Sequence, residues 1–346
     1  MTEHEKYMQR CIHLALKGAG HVAPNPLVGA VIVRQGHIIG EGWHREFGGP
    51  HAEVNAINGV ADKRLLTEST IYVNLEPCSH FGKTPPCSDL IIASKIPRVV
   101  IGTSDPNPLV KGNGIKKLVE HGTDVTIGVL ENECMHLNRR FFTWINKKRP
   151  YIILKWAQSA DGFIDHVREN HTKERAIISS PESHELLHRW RAEEAAILVG
   201  TNTVISDNPQ LTVRLVNGKN PVRVTFDRKG RIPPDAHILD GSAPTIVFTQ
   251  DKNLITDRAV YIKIDFEEEP IHQAMEVLYQ KNLQSVLVEG GVAILNRFIS
   301  EGLWDEARVF IADKKFGNGI KAPLLDHPVA EENVSGPDKL LIHYKR

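Results

Sequence analysis

Four residues carry the clearest chemistry in this chain: His51, Glu53, Cys78 and Cys87, set in His51-Ala52-Glu53, Pro77-Cys78 and Pro85-Pro86-Cys87. One neutral imidazole and two thiolates are three good Zn²⁺ ligands, and they leave a fourth position open to water. Zinc lowers the pKa of such a water and gives a nucleophile near neutral pH. Glu53 stands two residues from His51, close enough to take the water's proton and pass it to a leaving amine. On a regular helix, residues i and i+2 point in nearly opposite directions. Both can serve one site only if His51 lies at the very start of a helix, and Gly48-Gly49-Pro50 supports a start there. Pro85-Pro86 likewise places Cys87 in a first helical turn, where the helix N-terminus favours thiolate.

Taken singly, each feature has a plain structural explanation. His51 fits a satisfied structural histidine, Cys78 and Cys87 fit small buried hydrophobes, and His80 fits a fourth ligand that closes a structural zinc site. Together, in this order, they favour catalysis. Zinc deaminases carry H-x-E…P-C-x-x-C. This chain departs from that spacing, with residues 79–86 between its two cysteines. Cys11 and Cys134 fall on apolar helix faces and read as packing.

The elements that must position these residues follow from pattern. Thr2-x-x-Glu5 is a capping box. Met8, Cys11, Ile12, Ala15 and Leu16 then recur at helical spacing until Gly18 and Gly20. Residues 28–33 and 37–43 flank Arg34-Gln35-Gly36, a hairpin signal. A short helix is expected from about His51, a strand over 69–75, a helix near Cys87, a strand over 98–103, a helix over 114–122 and a strand over 123–129. Such alternation implies a mostly parallel sheet with helices on its faces. Residues 131–148 read as one amphipathic helix, with Glu131 and Glu133 at its start and Lys147 and Lys148 at its end. Pro150 stops it, so a domain boundary falls near 148–150.

The second half is again α/β, with strands over 151–157, 195–200, 221–226, 244–249, 259–264, 285–291 and 307–312. Helices are expected near 182–195, 270–281 and 292–301. No G-x-G-x-x-G is present, which argues against a Rossmann dinucleotide domain. Val288-Glu289-Gly290-Gly291 ends a strand before a helix, where glycines let the backbone approach a phosphate; an ordinary βα turn explains it equally well. Arg228 follows another strand and offers a cation to a 2′-phosphate. Thr203 to Arg214 reads as a polar loop with one cation. Pro24-Asn25-Pro26-Leu27-Val28 recurs as Pro106-Asn107-Pro108-Leu109-Val110, with prolines that could aim the asparagines.

The segment from Pro77 through His80-Phe81-Gly82-Lys83-Thr84 to Cys87 resembles the longer zinc loop of the bifunctional riboflavin-biosynthesis deaminase/reductase family. Asn25-Pro26-Leu27-Val28-Gly29, Gly42-Trp43-His44, His51-Ala52-Glu53 and Asp105-Pro106-Asn107-Pro108 extend the likeness. So do Lys155-x3-Ser159-x-Asp161-Gly162, Arg191-Ala192, Gly200 through Arg214, and Val288-Glu289-Gly290-Gly291. The resemblance implies a cytidine-deaminase-like α/β/α domain over 1–148 and a dihydrofolate-reductase-like α/β domain over 150–346. It implies one Zn²⁺ held by His51, Cys78 and Cys87, with Glu53 as the proton shuttle. Asn25, His44 and Lys83 would contact a phosphoribosylamino-diaminopyrimidinone. In the second half NADPH would lie against Ala157, Thr203, Asp207, Gly290 and Gly291, and the Arg228 read above as a cation for a 2′-phosphate joins that cofactor set. Lys155, Arg191, Leu211, Arg214 and Glu289 would face the substrate.

Two other readings stand beside it. A nucleic-acid-editing deaminase would show a basic face and the short C-x-x-C loop. A deaminase whose reductase-like half has lost hydride transfer is suggested by 169–177, which lacks the aromatic that the family places near the nicotinamide. In the 346 residues, 42 Lys and Arg balance 42 Asp and Glu, so composition argues against nucleic acid as a partner. No run of about 18 apolar residues suggests a membrane span. The charged start MTEHEKYMQR and only four cysteines point to a reducing cytoplasm. The resemblance implies a homo-oligomer.

Overall fold

Thr2 opens the first helix with the reciprocal bonds its sequence requires. The Thr2 hydroxyl accepts the Glu5 N–H at 3.2 Å, and the Glu5 carboxylate accepts the Thr2 N–H at 2.7 Å. The structure is a computed structural model that describes residues 1–79, 85–108, 110–167, 176–251 and 257–345. The chain divides into two compact units, Met1–Lys148 and Arg149–Arg346. Among the described residues no helix is long and apolar enough to cross a membrane.

In the first unit, α1 (Glu3–Leu16) buries Met8, Cys11, Ile12 and Ala15, whereas Leu16, expected on that face, is exposed. β1 (Gly29–Arg34) and β2 (His37–Trp43) are joined by Gln35 and Gly36, both at positive φ (49° and 77°). That two-residue turn matches the twist of a hairpin. The chain continues through α2 (Ala52–Gly59), β3 (Thr70–Leu75), α3 (Cys87–Ala93), β4 (Arg98–Thr103), α4 (Asn113–Glu120) and β5 (Asp124–Ile127). The sheet order is β2-β1-β3-β4-β5. β1 is antiparallel to both neighbours, and β3, β4 and β5 are parallel. Every residue of β3 is buried, as in a strand covered on both faces. Ile71 and Val73 point to one apolar cluster with α2 and α3; Tyr72 points to another with α1.

The single helix expected over 131–148 is two helices, α5 (Glu131–Leu137) and α6 (Arg139–Lys147). Asn138 interrupts it. Its Oδ1 accepts the Leu27 N–H at 2.8 Å, and its Nδ2 donates to the Leu27 carbonyl at 2.9 Å. Asn74 on β3 donates to the same carbonyl at 3.0 Å and accepts the Gly29 N–H at 2.7 Å. Two buried amides therefore clamp the backbone just after Asn25 and Pro26.

The second unit runs β6 (Tyr151–Ser159), β7 (Phe163–Asp165), α7 (Pro181–Glu193), β8 (Ala196–Val199), α8 (Thr201–Asp207), β9 (Val222–Phe226), β10 (Thr245–Thr249) and β11 (Val260–Lys263). It continues as α9 (Pro270–Gln280), β12 (Ser285–Gly290), α10 (Val292–Ser300), β13 (Glu306–Ala312), β14 (Ile320–Lys321), β15 (Glu331–Ser335) and β16 (Asp338–Tyr344). The main sheet is ordered β11-β10-β9-β8-β12-β6-β13-β16-β15 and is parallel from β11 to β13. The chain moves outward from β6 to β11, then returns to place β12 and β13 on either side of β6. Parallel strands share one carboxyl edge, and ligands of open α/β sheets bind outside it where strand order reverses. Of the polar loop expected over Thr203 to Arg214, the part up to Asp207 lies in helix α8.

Candidate active sites

His51 is the N-cap of α2, with extended backbone (φ −69°, ψ 164°), and Glu53 lies in the first turn that follows. The irregular start lets both side chains reach one place. His51 Nδ1 lies 3.6 Å from Cys78 Sγ and 3.3 Å from Cys87 Sγ. Cys87 is the first residue of α3, and its N–H donates to Cys78 Sγ at 3.3 Å, drawing the two sulfurs together. All three donor atoms lie within 4.8 Å of one another. A tetrahedral zinc with Zn–S about 2.3 Å and Zn–N about 2.0–2.1 Å sets nitrogen and sulfur about 3.6 Å apart. The donor set fits that ion in chemistry and in spacing.

The local field suits a cation. The Cys87 thiol's hydrogen bond draws the Cys78 thiol well below its ordinary value, with His51 and the Cys87 N–H adding to it. The same pairing, with burial, pushes the Cys87 thiol up, so one thiolate is held ready. Burial pushes the Glu53 carboxyl up to about 6, and the negative Cys78 adds to the effect.

His51, Glu53 and Cys78 line a cavity of about 310 Å³ in the first unit, together with Asn25, His44, Asp105 and Asn107, and Cys87 lies buried behind them. His44 Nδ1 donates to the Pro50 carbonyl at 3.0 Å, which leaves Nε2 to accept the Asn25 amide at 3.0 Å. Burial lowers the His44 pKa, in keeping with that neutral form. The Asn25 Oδ1 has no protein donor among the described residues. Lys83 and His80 lie outside the described residues. Glu76 also lines the cavity, and neither its type nor its spacing distinguishes it beside Pro77-Cys78.

In the second unit Arg191, near the end of α7, meets Glu289, near the end of β12, in a two-pronged ion pair. Burial alone would raise the Glu289 carboxyl; Arg191, with Lys155 and His188 beyond it, holds it below the usual carboxylate range. Arg191 and Arg214 both donate to the Thr212 carbonyl, at 3.2 and 3.3 Å. The Arg214 N–H donates to His188 Nδ1 at 2.9 Å. Lys155 is buried, with its ammonium 5.6 Å from the Phe310 ring centre. The structure thus gathers Lys155, Arg191, Arg214 and Glu289, and adds His188 and Thr212, which sequence reasoning missed. Leu211 differs: at φ 58° its side chain is buried in an apolar cluster with Ile197 and Val204, leaving its backbone for any contact.

Thr203 lies on α8, and a Cβ on Gly291 (φ 79°) would stand 2.8 Å from its hydroxyl. The Gly200 N–H donates to the Gly290 carbonyl at 3.2 Å. Thr203, Gly290 and Gly291 therefore surround a bare stretch of backbone ahead of α10, a cradle suited to a dinucleotide's phosphates. Asp207 ends α8, and Ala157 lies on β6, half-buried. Arg228 follows β9 and is paired with Glu267, while its Nε donates to Gln250 at 2.8 Å.

Fold and sites define a class: a zinc-dependent deaminase joined in one chain to a nucleotide-dependent reductase. The family described as the cytidine and deoxycytidylate deaminase zinc-binding region matches residues 1–103, and the RibD C-terminal domain matches 150–332. The chain belongs to the RibD family, the bifunctional deaminase/reductases of riboflavin biosynthesis, with zinc and NADPH as cofactors.

The riboflavin biosynthesis protein RibD of Aquifex aeolicus is 41% identical over 99% of this chain and 98% of its own length. That of Escherichia coli is 35% identical over 92% and 89%. The crystal structure of the deaminase/reductase from Thermotoga maritima is 40% identical, covers 99% of each chain and superposes with a TM-score of 0.91. The match to the RibD C-terminal domain runs through 169–177, so the reading of a half without reductase activity is not favoured. Residues 169–175, with Arg175, lie outside the described residues.

Proposed function

We propose that residues 1–148 are the deaminase domain and 150–346 the reductase domain of an enzyme that performs two consecutive steps. The first is hydrolytic loss of the 2-amino group of 2,5-diamino-6-(5-phosphoribosylamino)pyrimidin-4(3H)-one. The second is reduction of the ribosyl group to ribityl. The observation that carries the reading is the His51, Cys78 and Cys87 donor set, with Glu53 on the cavity that His51 and Cys78 line. Those three residues would hold a Zn²⁺ ion, which when bound would supply a water acidic enough to ionise near neutral pH.

Glu53 takes the proton of the attacking water and delivers it to the departing amine nitrogen, which leaves as ammonia. Asn25 and His44, locked to each other, orient the pyrimidine ring, and Lys83 offers a cation to its phosphate. NADPH bound in the reductase domain would supply a hydride to the sugar C1, the ring C1–O4 bond opening and O4 taking a proton from water. Ala157, Thr203, Asp207, Gly290 and Gly291 hold the cofactor, and Arg228 meets its 2′-phosphate. Glu289, kept ionised, accepts sugar hydroxyls; Arg191 fixes it, and with Arg214 turns two cations to the substrate phosphate. Lys155 stabilises the open-chain sugar, and the Leu211 backbone borders it. Work in the reducing cytoplasm and assembly with further copies of the chain complete the reading; light scattering of the purified protein tests the latter.

The test supplies the purified, zinc-loaded protein with that pyrimidine and follows ammonia release and NADPH oxidation separately. Both signals are expected. Neither signal, with one zinc bound per chain, would overturn the substrate while leaving the metal site standing.

A further inference from the structure

Glu76 follows β3, two residues before Cys78, and is 4% exposed. Its Oε2 accepts the N–H groups of Asp105 at 3.3 Å and Gly112 at 3.0 Å. Its Oε1 accepts those of Gly114 at 3.0 Å and Ile115 at 3.3 Å. Four backbone donors from one stretch of chain thus converge on one buried carboxylate. Gly114 and Ile115 lie in the first turn of α4 and Gly112 is its N-cap, so these are orphan donors of a helix start, and the carboxylate also meets the positive end of the helix dipole. Gly114 permits the approach: a Cβ there would collide with the Pro77 carbonyl oxygen and lie 3.3 Å from Glu76 Oε1.

Both oxygens of Glu76 are occupied by donors, which suits a tie rather than an acid or base. The tied stretch supplies part of the cavity wall. Asp105 and Asn107 line the cavity, and the Asn107 N–H donates to Asp105 Oδ1 at 2.8 Å. At its other end the tie holds the strand exit that leads to Cys78.

We propose that Glu76 is the positioning residue of the deaminase site. It fixes the Asp105–Asn107 wall and the start of α4 to the chain that presents Cys78, so that the wall meets the pyrimidine at a set distance from Glu53. This rests on the reading of the first unit as the deaminase of that pyrimidine. The tie acts on substrate and transition state alike, so its loss weakens binding more than turnover.

Glu76→Gln tests it, because the amide keeps the volume but turns an NH₂ toward two N–H donors. The zinc content should stay at one per chain. KM for the pyrimidine in ammonia release should rise about 10-fold or more, while kcat moves less than about 3-fold. Amide exchange at Gly112, Gly114 and Ile115 should quicken. Gly114→Ala, which drives α4 from an intact Glu76, should reproduce the KM rise, and it carries the test should Glu76→Gln fail to fold. An unchanged KM or unchanged exchange overturns the proposal. So does loss of zinc together with kcat, which would make Glu76 a support of the metal ligands. Absence of ammonia release from the unsubstituted protein would instead overturn the functional reading.

Discussion

Arg191 and Glu289 face each other across the second unit, Nε to Oε1 at 2.7 Å and Nη2 to Oε2 at 2.6 Å, with side chains only 9% and 7% exposed. Removing one member of such a pair strands a charge away from water, which costs about 3–5 kcal/mol. Glu289→Ala should therefore lower the stability of this unit by about that amount and abolish NADPH oxidation. Ammonia release should persist, because the first unit has apolar clusters of its own. Denaturant unfolding beside the two assays checks this; an unchanged midpoint with unchanged NADPH oxidation rejects it.

Glu53 and Cys78 should separate chemistry from metal holding. Glu53→Gln removes the proton carrier but no ligand. Zinc should stay bound while ammonia release falls by about 10²-fold or more. Cys78→Ser removes a ligand and the acceptor of the Cys87 N–H, and zinc should be lost. Metal analysis of both variants decides: full zinc in Cys78→Ser, or normal turnover in Glu53→Gln, refutes the assignment.

What could be read from the chain was set by the range of the interactions involved. The capping box at Thr2 and Glu5, the Gln35-Gly36 turn and the helix starts at His51 and Cys87 depend on residues a few positions apart, and each is legible in sequence. The break at Asn138 is not, because its partner Leu27 lies 111 residues away. Helix α8 escapes notice because only Val204 in it is buried, so it shows no apolar stripe. Arg191 and Glu289 could each be placed near a substrate by resemblance, but 98 residues separate them and nothing local shows that they pair. Glu76 is silent for the same reason, since its four partners lie 29 to 39 residues downstream.

Arg228 tests the choice of cofactor. Its guanidinium is paired with Glu267 and sits 5.8 Å from the Phe266 ring centre. A 2′-phosphate binding there must displace Glu267, trading one anion for a more highly charged one. Arg228→Ala should raise KM for NADPH about 10-fold and leave KM for NADH nearly unchanged. Glu267→Gln should move KM for NADPH the other way. Equal shifts for both nucleotides in Arg228→Ala would remove Arg228 from the 2′-phosphate site.

His188 gives the second unit a dependence on pH. It is buried, and its Nδ1 must stay unprotonated to accept the Arg214 N–H. Burial first, then the charges of Arg191 and Arg214, push its pKa down to about 4. An unfolded histidine titrates near about 6.5. Between those values the unfolded chain binds a proton that the folded one refuses. The stability is therefore fully present above about 6.5 and drains away as pH falls towards 4. His188→Gln cannot titrate, so the stability gap between it and the unsubstituted protein should narrow steadily from pH 7 to pH 4. Acid release of zinc from the first unit affects both proteins alike and cancels in the comparison. A gap that stays constant across this window would mean that His188 takes up its proton equally in both states, and the neutral acceptor beneath Arg214 would have to be abandoned.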